Sequence, residues 1–240
     1  MTRVAVCLPT FNEAENVGQM LDALLGVFDA NDIDGRVLVI DDASPDGTAE
    51  IADEHARADA RVAVLRRAAK EGLGLAYRDG FRRVLDDGAE VVIQMDCDFS
   101  HDPEAVPALL AALDDADLVL GSRYVPGGGV VGWPILRQVI SKGGCLYARL
   151  VLGVSIRDLT GGFKAFRAAT LEYLLGRSVD ARGYGFQIQM THEALLAGYR
   201  VREIPIVFRE RVRGTSKMHF GVVTEAVVLV PRLRFAARRR

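Results

Sequence analysis

Val91-Val-Ile-Gln-Met-Asp-Cys-Asp-Phe-Ser-His-Asp-Pro103 holds one copy of the pattern that decides the fold. Val91–Met95 reads as a buried strand, and a polar loop follows it. Asp102-Pro103 then opens a helix, because Asp caps orphan amides and Pro suits the first turn. The same alternation extends outward. Val4–Leu8, Val37–Ile40, Val62–Leu65 and Leu118–Gly121 read as strands. Between them lie helix candidates at Ala14–Ala30, Asp46–Ala60 and Leu73–Asp87. The first has Val17, Met20, Leu21, Leu24, Leu25 and Phe28 at helical spacing, and the third offers Leu75, Phe81 and Leu85 to a core. Strands separated by helices imply parallel pairing through right-handed crossovers. The fold class is α/β, with a doubly wound, mostly parallel sheet.

The second half is less regular. Gly127-Gly-Gly129 and Gly132 mark a loop. Pro134–Leu152 reads as an amphipathic helix weakened by Gly143-Gly144. Phe163–Phe166 is a short strand, Phe186–Leu196 a helix, and Val201–Phe208 an alternating strand. Arg209–Phe220 is a polar, basic loop, and Val222–Arg238 a last helix with a basic end.

Composition narrows the classes. Half of the 240 residues are hydrophobic and 26% are charged, which excludes a disordered or collagenous chain. Three cysteines without a CxxC pair argue against a disulfide framework or structural zinc, and for a reducing, cytoplasmic setting. The N-terminus has no signal-peptide pattern, and no apolar stretch reaches the roughly 20 residues that span a bilayer. The net charge of −2 hides an asymmetry: from Arg209 onward nine basic residues face two acidic ones. An acidic body with a basic end suits an anionic partner, or simply a solvated helix end. The basic end lacks interleaved aromatics beyond Phe235, so nucleic acid is not expected.

Open α/β sheets bind ligands beyond the C-terminal ends of their strands. Polar residues gather at three such ends: Pro9–Glu13, Asp41–Thr48 and Asp96–His101. In Asp96-Cys97-Asp98 the carboxylates are two apart, so a strand-like backbone turns both to one side. Two hard oxygen ligands suit Mg²⁺ or Mn²⁺, with diphosphate and water completing the shell. Asp42 is placed to bind ribose hydroxyls or a base N–H, while Ser44 and Asp46 order the turn. Phe11 offers a stacking face and Glu13 an acceptor. No GxGxxG follows the first strand and no GxxxxGK[ST] occurs, which counts against NAD and against a P-loop.

These segments together resemble the dolichol/polyprenol-phosphate mannose synthase family of inverting GT-A glycosyltransferases. The resemblance runs from about Val4 to Phe220, through PTFNEAEN (9–16), VIDDASPDGT (39–48), EGLGLAYRDGF (71–81), MDCDFSHDP (95–103), GSRYVPGG (121–128), LTGGFKAF (159–166) and RVRGTSK (211–217). It implies a single GT-A catalytic domain over 1–220, with a nucleotide-binding half (1–122) and an acceptor half (123–220). A basic C-terminal amphipathic helix (221–240) follows. It implies Pro9, Phe11 and Glu13 at the nucleoside, where relatives often have Tyr for Phe11, and Ile40 and Asp42 beside guanosine. Asp96, Cys97 and Asp98 match the metal and diphosphate site; the middle residue is commonly Ala, so the Cys97 backbone does the work. Arg123, Arg211 and Lys217 match cations around the phosphates. The implied cofactors are Mg²⁺ or Mn²⁺ and the implied donor is GDP-mannose.

The implied acceptor is a polyprenyl phosphate, whose oxygen is ionised at neutral pH, so no general base is expected. His101 is expected to cap a helix or support the metal site. Arg137 and Ser141 are candidates for the acceptor phosphate. Trp133, Ile135, Leu136, Val139, Ile140 and Leu146 can rest against lipid, with Arg137, Lys142 and Arg149 reaching head groups; a core or dimer helix is the rival reading. An anionic membrane surface, a position on its cytoplasmic face and a separate membrane-anchor protein follow as expected partners and place. A UDP-sugar donor, a nucleotidyltransferase and a non-enzymatic nucleotide-binding module remain the alternatives.

Overall fold

The computed structural model describes residues 1–177, 185–211 and 221–237. In chain order these form β1 (Val4–Thr10), α1 (Val17–Ala30), β2 (Gly35–Asp41), α2 (Thr48–Ala58), β3 (Val62–Arg66), α3 (Leu73–Asp86) and β4 (Val91–Gln94). They continue with α4 (Val106–Ala112), β5 (Leu118–Ser122), β6 (Gly129–Val131), α5 (Ile135–Leu152), β7 (Lys164–Arg167) and α6 (Ala168–Leu175). The last are α7 (Gly185–Leu196), β8 (Val201–Pro205), β9 (Val207–Arg209) and α8 (Gly221–Ala237). Single 3₁₀ turns at Pro103–Ala105 and Leu113–Asp115 bracket α4, and the Asp102 carboxylate accepts from the Glu104 amide at 3.0 Å.

The main sheet has the order β3-β2-β1-β4-β7-β5-β8. All neighbours are parallel except β7, which runs antiparallel between β4 and β5. β6 and β9 form a separate parallel pair. Alternation along each inner strand feeds two cores. Val4, Val6 and Leu8 of β1 face α1 and α4, while Ala5 and Cys7 join the core of α3 and the C-terminal helices.

Several expectations change. Val201–Phe208 is two strands, because buried Ile206 breaks the run and its amide donates to the Ser122 carbonyl. Helix α3 seats Tyr77, Gly80 and Phe81 in the core, with Leu75 only half-buried. Gly80 is required there: a Cβ would lie 2.1 Å from Ile40 Cδ1. Helix α5 runs unbroken through Gly143-Gly144, since Cys145, Ala148 and Leu152 anchor it. It ends at Gly153 in the left-handed region (φ 69°), where Arg234 of α8 donates to the Leu152 carbonyl at 3.1 Å. That part of the basic end therefore caps a helix.

No helix among the described residues is long and apolar enough to cross a membrane. Pro231 lies inside α8.

Candidate active site

The strand order reverses at β1: β2 and β3 lie on one side and β4 on the other. Such a switch point opens a crevice at the C-terminal strand ends. The exits of β2, β1 and β4 therefore stand side by side, and three of the polar loops line one edge.

Hydrogen bonds lace the first two loops together. Asp41 is internal: its carboxylate accepts from the Thr10 hydroxyl (3.0 Å), the Ser44 hydroxyl (2.6 Å) and the Ser44 amide (2.9 Å). Ser44 Oγ accepts from the Asn12 amide at 3.0 Å, and Asp46 from the Ala14 amide and the Thr48 hydroxyl. Thr48 Oγ1 accepts from the Glu13 amide at 2.9 Å. Ser44 and Asp46 order the turns, and Asp42 is the carboxylate that faces the third strand exit, where Arg67 pairs with it.

Beyond β4, buried Cys97 packs into the core and the flanking carboxylates turn away from it. Asp96 lies within reach of the Tyr77 hydroxyl (3.4 Å), and its side chain is 37% exposed. Gly162 lies against it; a Cβ there would stand 3.6 Å from Asp96 Oδ2. Partial burial in the crevice pushes the Asp96 carboxyl above its ordinary value, and the neighbouring Asp98 carboxylate adds to the shift. Asp98 accepts from the Ser100 amide at 3.0 Å and pairs with Arg211 Nη2 at 2.7 Å. Phe99 between them adopts φ 58°, which bends the chain back beneath the carboxylates.

His101 supports this loop from within. It is buried, stacks on Phe163 at 5.0 Å, and meets Phe208 edge-on. Its Nδ1 accepts from the Asp96 amide at 3.1 Å, which fixes the tautomer protonated at Nε2. Burial lowers its pKa.

The other expected residues divide. Arg211 lies 4.0 Å from Glu13 as well as against Asp98, so this one residue of the basic segment reaches the carboxylates. The Glu13 carboxylate also accepts from the Asn16 side-chain Nδ2 at 2.8 Å. Lys217 lies outside the described residues. Phe11 is half-exposed with Lys70 Nζ 3.9 Å above its ring, and Pro9 is half-buried at the end of β1. The Ile40 side chain is fully buried against α3 and does not reach the edge. Arg123 is buried and clasped by Asp158, through Nε at 2.7 Å and Nη2 at 2.6 Å.

On α5, Ser141 Oγ accepts from the Tyr124 hydroxyl at 2.6 Å. Arg137 pairs with Glu210 at 2.9 Å and stacks on Trp133 at 4.1 Å. Trp133 itself is buried against Phe208, which corrects its assignment to a lipid-facing surface.

Sequence reasoning missed Arg67, Lys70, Tyr77 and Asp158. Arg67 and Lys70 follow the third strand, so the strand-end rule that singled out the other loops also applies to them.

A doubly wound sheet with paired carboxylates and a cation at its switch point defines a sugar-transferring enzyme of the GT-A type. The chain matches Glycosyl transferase family 2 over residues 5–175, well over half its length, and it belongs to that family. It is 48% identical over 236 residues to an undecaprenyl-phosphate mannosyltransferase of Micrococcus luteus, covering 98% of this chain and 96% of the relative. It is 46% identical over 234 residues to a polyprenol monophosphomannose synthase of Mycolicibacterium smegmatis, covering 95% and 85%. Among solved structures, glucosyl-3-phosphoglycerate synthase of Mycobacterium tuberculosis with phosphoglyceric acid has the same fold, with TM-score 0.72 at 18% identity over 98% of this chain and 80% of that one. The same enzyme with Mn²⁺, uridine diphosphate and phosphoglyceric acid gives TM-score 0.71 at 18% identity, covering 97% and 78%.

Proposed function

We propose that the protein transfers mannose from GDP-mannose to a polyprenyl phosphate, with inversion at the anomeric carbon. The observation that carries glycosyl transfer is the meeting of Asp96, Asp98, Glu13 and Arg211 at one switch point. Mannose and the lipid phosphate rest on the names of relatives that match almost end to end.

The donor set fits a divalent cation. Asp96 and Asp98 offer hard oxygens, and the described residues hold no group of three or more His, Cys, Asp or Glu suited to a metal. Magnesium and manganese accept such a site, because diphosphate oxygens and water supply the remaining positions. When bound, Mg²⁺ or Mn²⁺ supplies Lewis-acid stabilisation of the leaving diphosphate. Arg211, with Arg123 and Lys217, adds positive charge where the β-phosphate departs. Pro9, Phe11, Glu13 and Asp42 hold the nucleoside; Ile40 and Cys97 contribute through their backbone. An acceptor phosphate oxygen, oriented by Arg137 and Ser141, attacks the anomeric carbon as its bond to the diphosphate breaks. That oxygen is ionised already, so no side chain has to remove a proton.

The acceptor half carries a surface suited to a lipid substrate. Ile135, Val139, Leu146 and Leu150 recur along one line of α5, flanked by Leu136 and Ile140, and all are exposed. Lys142 and Arg149 border the line, where they can meet anionic head groups. We place this face on the cytoplasmic leaflet; a separate anchor protein is the other cover for it.

The test is product formation with Mg²⁺ or Mn²⁺, polyprenyl phosphate, and GDP-mannose or UDP-glucose in parallel, read by mass spectrometry. Mannosyl lipid from GDP-mannose alone, lost on chelation with EDTA and in Asp98→Asn, is expected. Product from UDP-glucose alone overturns the donor. No product from either, with nucleotide binding intact, overturns the acceptor.

A further inference from the structure

The loop leaving β3 brings one buried arginine to the nucleoside side of the crevice. Arg67 is the first residue beyond β3, and its amide donates to the Asp41 carbonyl at 2.8 Å. Its side chain is only 6% exposed. Nη1 pairs with Asp42 Oδ1, Nη2 with Glu71 at 2.9 Å, and Nε with Asp79 at 2.9 Å. Each of its three nitrogens thus faces a carboxylate, so the guanidinium is held in one orientation. Glu71 and Asp79 are largely open to solvent, at 61% and 44%, whereas the Asp42 side chain is 9% exposed. Glu71 precedes α3 and Asp79 lies within it, so Arg67 ties that helix to the exit of β2. A surface cleft of about 440 Å³ lies on its outer side, lined by Arg66, Arg82, Arg83 and Asp86 among others; their mixed charges define no anion or cation seat.

We propose that Arg67 is a positioning residue for the nucleoside. It pins one oxygen of Asp42 and leaves the other to accept from the N–H edge of the base or from ribose hydroxyls. This rests on the reading that Asp42 contacts the nucleoside. Carboxylates rotate about their last bond, and a guanidinium fork removes that freedom. Burial pushes the Asp42 carboxyl upward while Arg67 and Lys70 oppose it, so Arg67 also favours the ionised acceptor. Arg67 has no part in binding phosphate, which separates its effect from that of Arg211.

Calorimetric titration of guanosine, GDP–Mg²⁺ and pyrophosphate–Mg²⁺, with uridine and UDP–Mg²⁺ in parallel, tests this on wild type, Arg67→Met, Arg67→Lys and Asp42→Asn. Losing the orientation of a charged hydrogen bond weakens binding by roughly tenfold or more. Arg67→Met is expected to weaken nucleoside and nucleoside diphosphate by the same factor, about tenfold, and to leave pyrophosphate within about twofold. Arg67→Lys should recover part of the loss, since a point charge still attracts Asp42 but cannot fork. At saturating donor kcat should stay within about threefold, the change falling on KM. Pyrophosphate falling in parallel, or nucleoside affinity unchanged in Arg67→Met while Asp42→Asn weakens it, overturns the positioning role. If Asp42→Asn changes nothing, the nucleoside reading itself fails, and this inference with it. If Arg67→Met does not fold, Arg67→Lys carries the same comparison at smaller amplitude.

Discussion

Arg123 and Asp158 form a closed pair: Nε and Nη2 of the guanidinium donate to the two carboxylate oxygens at 2.7 and 2.6 Å, and the Arg123 amide adds a third bond at 2.9 Å. Asp158 is fully buried and Arg123 nearly so. Thr160 Oγ1 accepts from Nη2 at 2.9 Å, and Cys145 of α5 lies 3.3 Å from that hydroxyl. The pair thus joins the exit of β5 to α5 and to the segment that precedes β7. Burial pushes the Asp158 carboxyl up, but Arg123 and the hydrogen bonds outweigh it and hold the carboxyl below its ordinary value.

Breaking that pair leaves an uncompensated buried charge. Asp158→Asn should cost about 3–5 kcal/mol. In a chain of this length that lowers Tm by roughly 10 °C or more. Because the folded carboxyl is depressed, its contribution is complete above the unfolded value near about 4 and disappears as pH falls through the lower folded value. The gap between wild type and Asp158→Asn should therefore be flat from about pH 5 to 8 and close in acid. A replacement of both residues, Arg123→Met with Asp158→Leu, should recover much of the stability and none of the activity. A double variant as active as wild type would remove Arg123 from the phosphate site.

His101 tests the absence of a general base. Its Nδ1 already accepts the Asp96 amide, and burial holds the ring neutral. His101→Ala should lower activity by disturbing the carboxylate loop, yet leave the shape of the kcat/KM pH profile unchanged. An acidic limb that vanishes in the variant would make the imidazole a proton acceptor. The stability effect has its own sign: the folded pKa is depressed, so the contribution is present above the unfolded value near about 6.5 and is lost progressively as pH falls toward the folded one.

Lys164 shows what sequence could and could not reveal. The strand at Phe163–Phe166 is legible from its apolar run, but its reversed direction is not, because the long connection from β5 fixes no sense of pairing. A lysine on a strand reads as an edge or surface residue, yet here it is fully buried, donating to the Gln187 carbonyl at 2.8 Å and the Thr191 hydroxyl at 3.0 Å. The partner helix, α7, buries Gln187, Gln189, Thr191, His192 and Glu193, so hydrophobic periodicity carried no warning of its depth. The clustering of the three polar loops was legible because strand exits in a parallel sheet collect at one edge. Arg123 was legible as a cation but its partner was not, since Asp158 lies 35 residues away and only folding brings them together. Helix α6 was missed because Ala168–Leu175 is short and apolar on most sides.

The same lysine gives a pH prediction. Burial lowers its pKa to about 7 in the folded chain, with Asp158 opposing. The unfolded value is near about 10.4, so between these limits the unfolded chain binds more protons and stability rises with pH. Lys164→Met should flatten that rise and raise stability most at and below neutrality, by about a few kcal/mol at the outer limit. Equal slopes in wild type and variant between about pH 7 and 10 would place the proton elsewhere.

The apolar line on α5 separates a membrane surface from a mere solvated face. Ile135, Leu136 and Leu150 are at least 70% exposed, so changing them removes little from the folded core. Surface substitutions of this kind move stability by about 0.5 kcal/mol or less. Burying one such side chain in lipid is worth roughly 1.5–3 kcal/mol, or about tenfold and more in affinity. Leu136→Glu with Leu150→Glu should therefore abolish co-sedimentation with vesicles of anionic phospholipid while leaving Tm in place. Transfer to a short-chain, water-soluble polyprenyl phosphate should survive in the variant, because the Leu136 and Leu150 side chains are exposed, whereas Arg137, although next to Leu136 in the chain, is turned toward Trp133 and Glu210. If vesicle binding is unchanged, lipid is not what covers this face. Loss of both vesicle binding and soluble-acceptor transfer at unchanged Tm would instead place the apolar line inside the acceptor site.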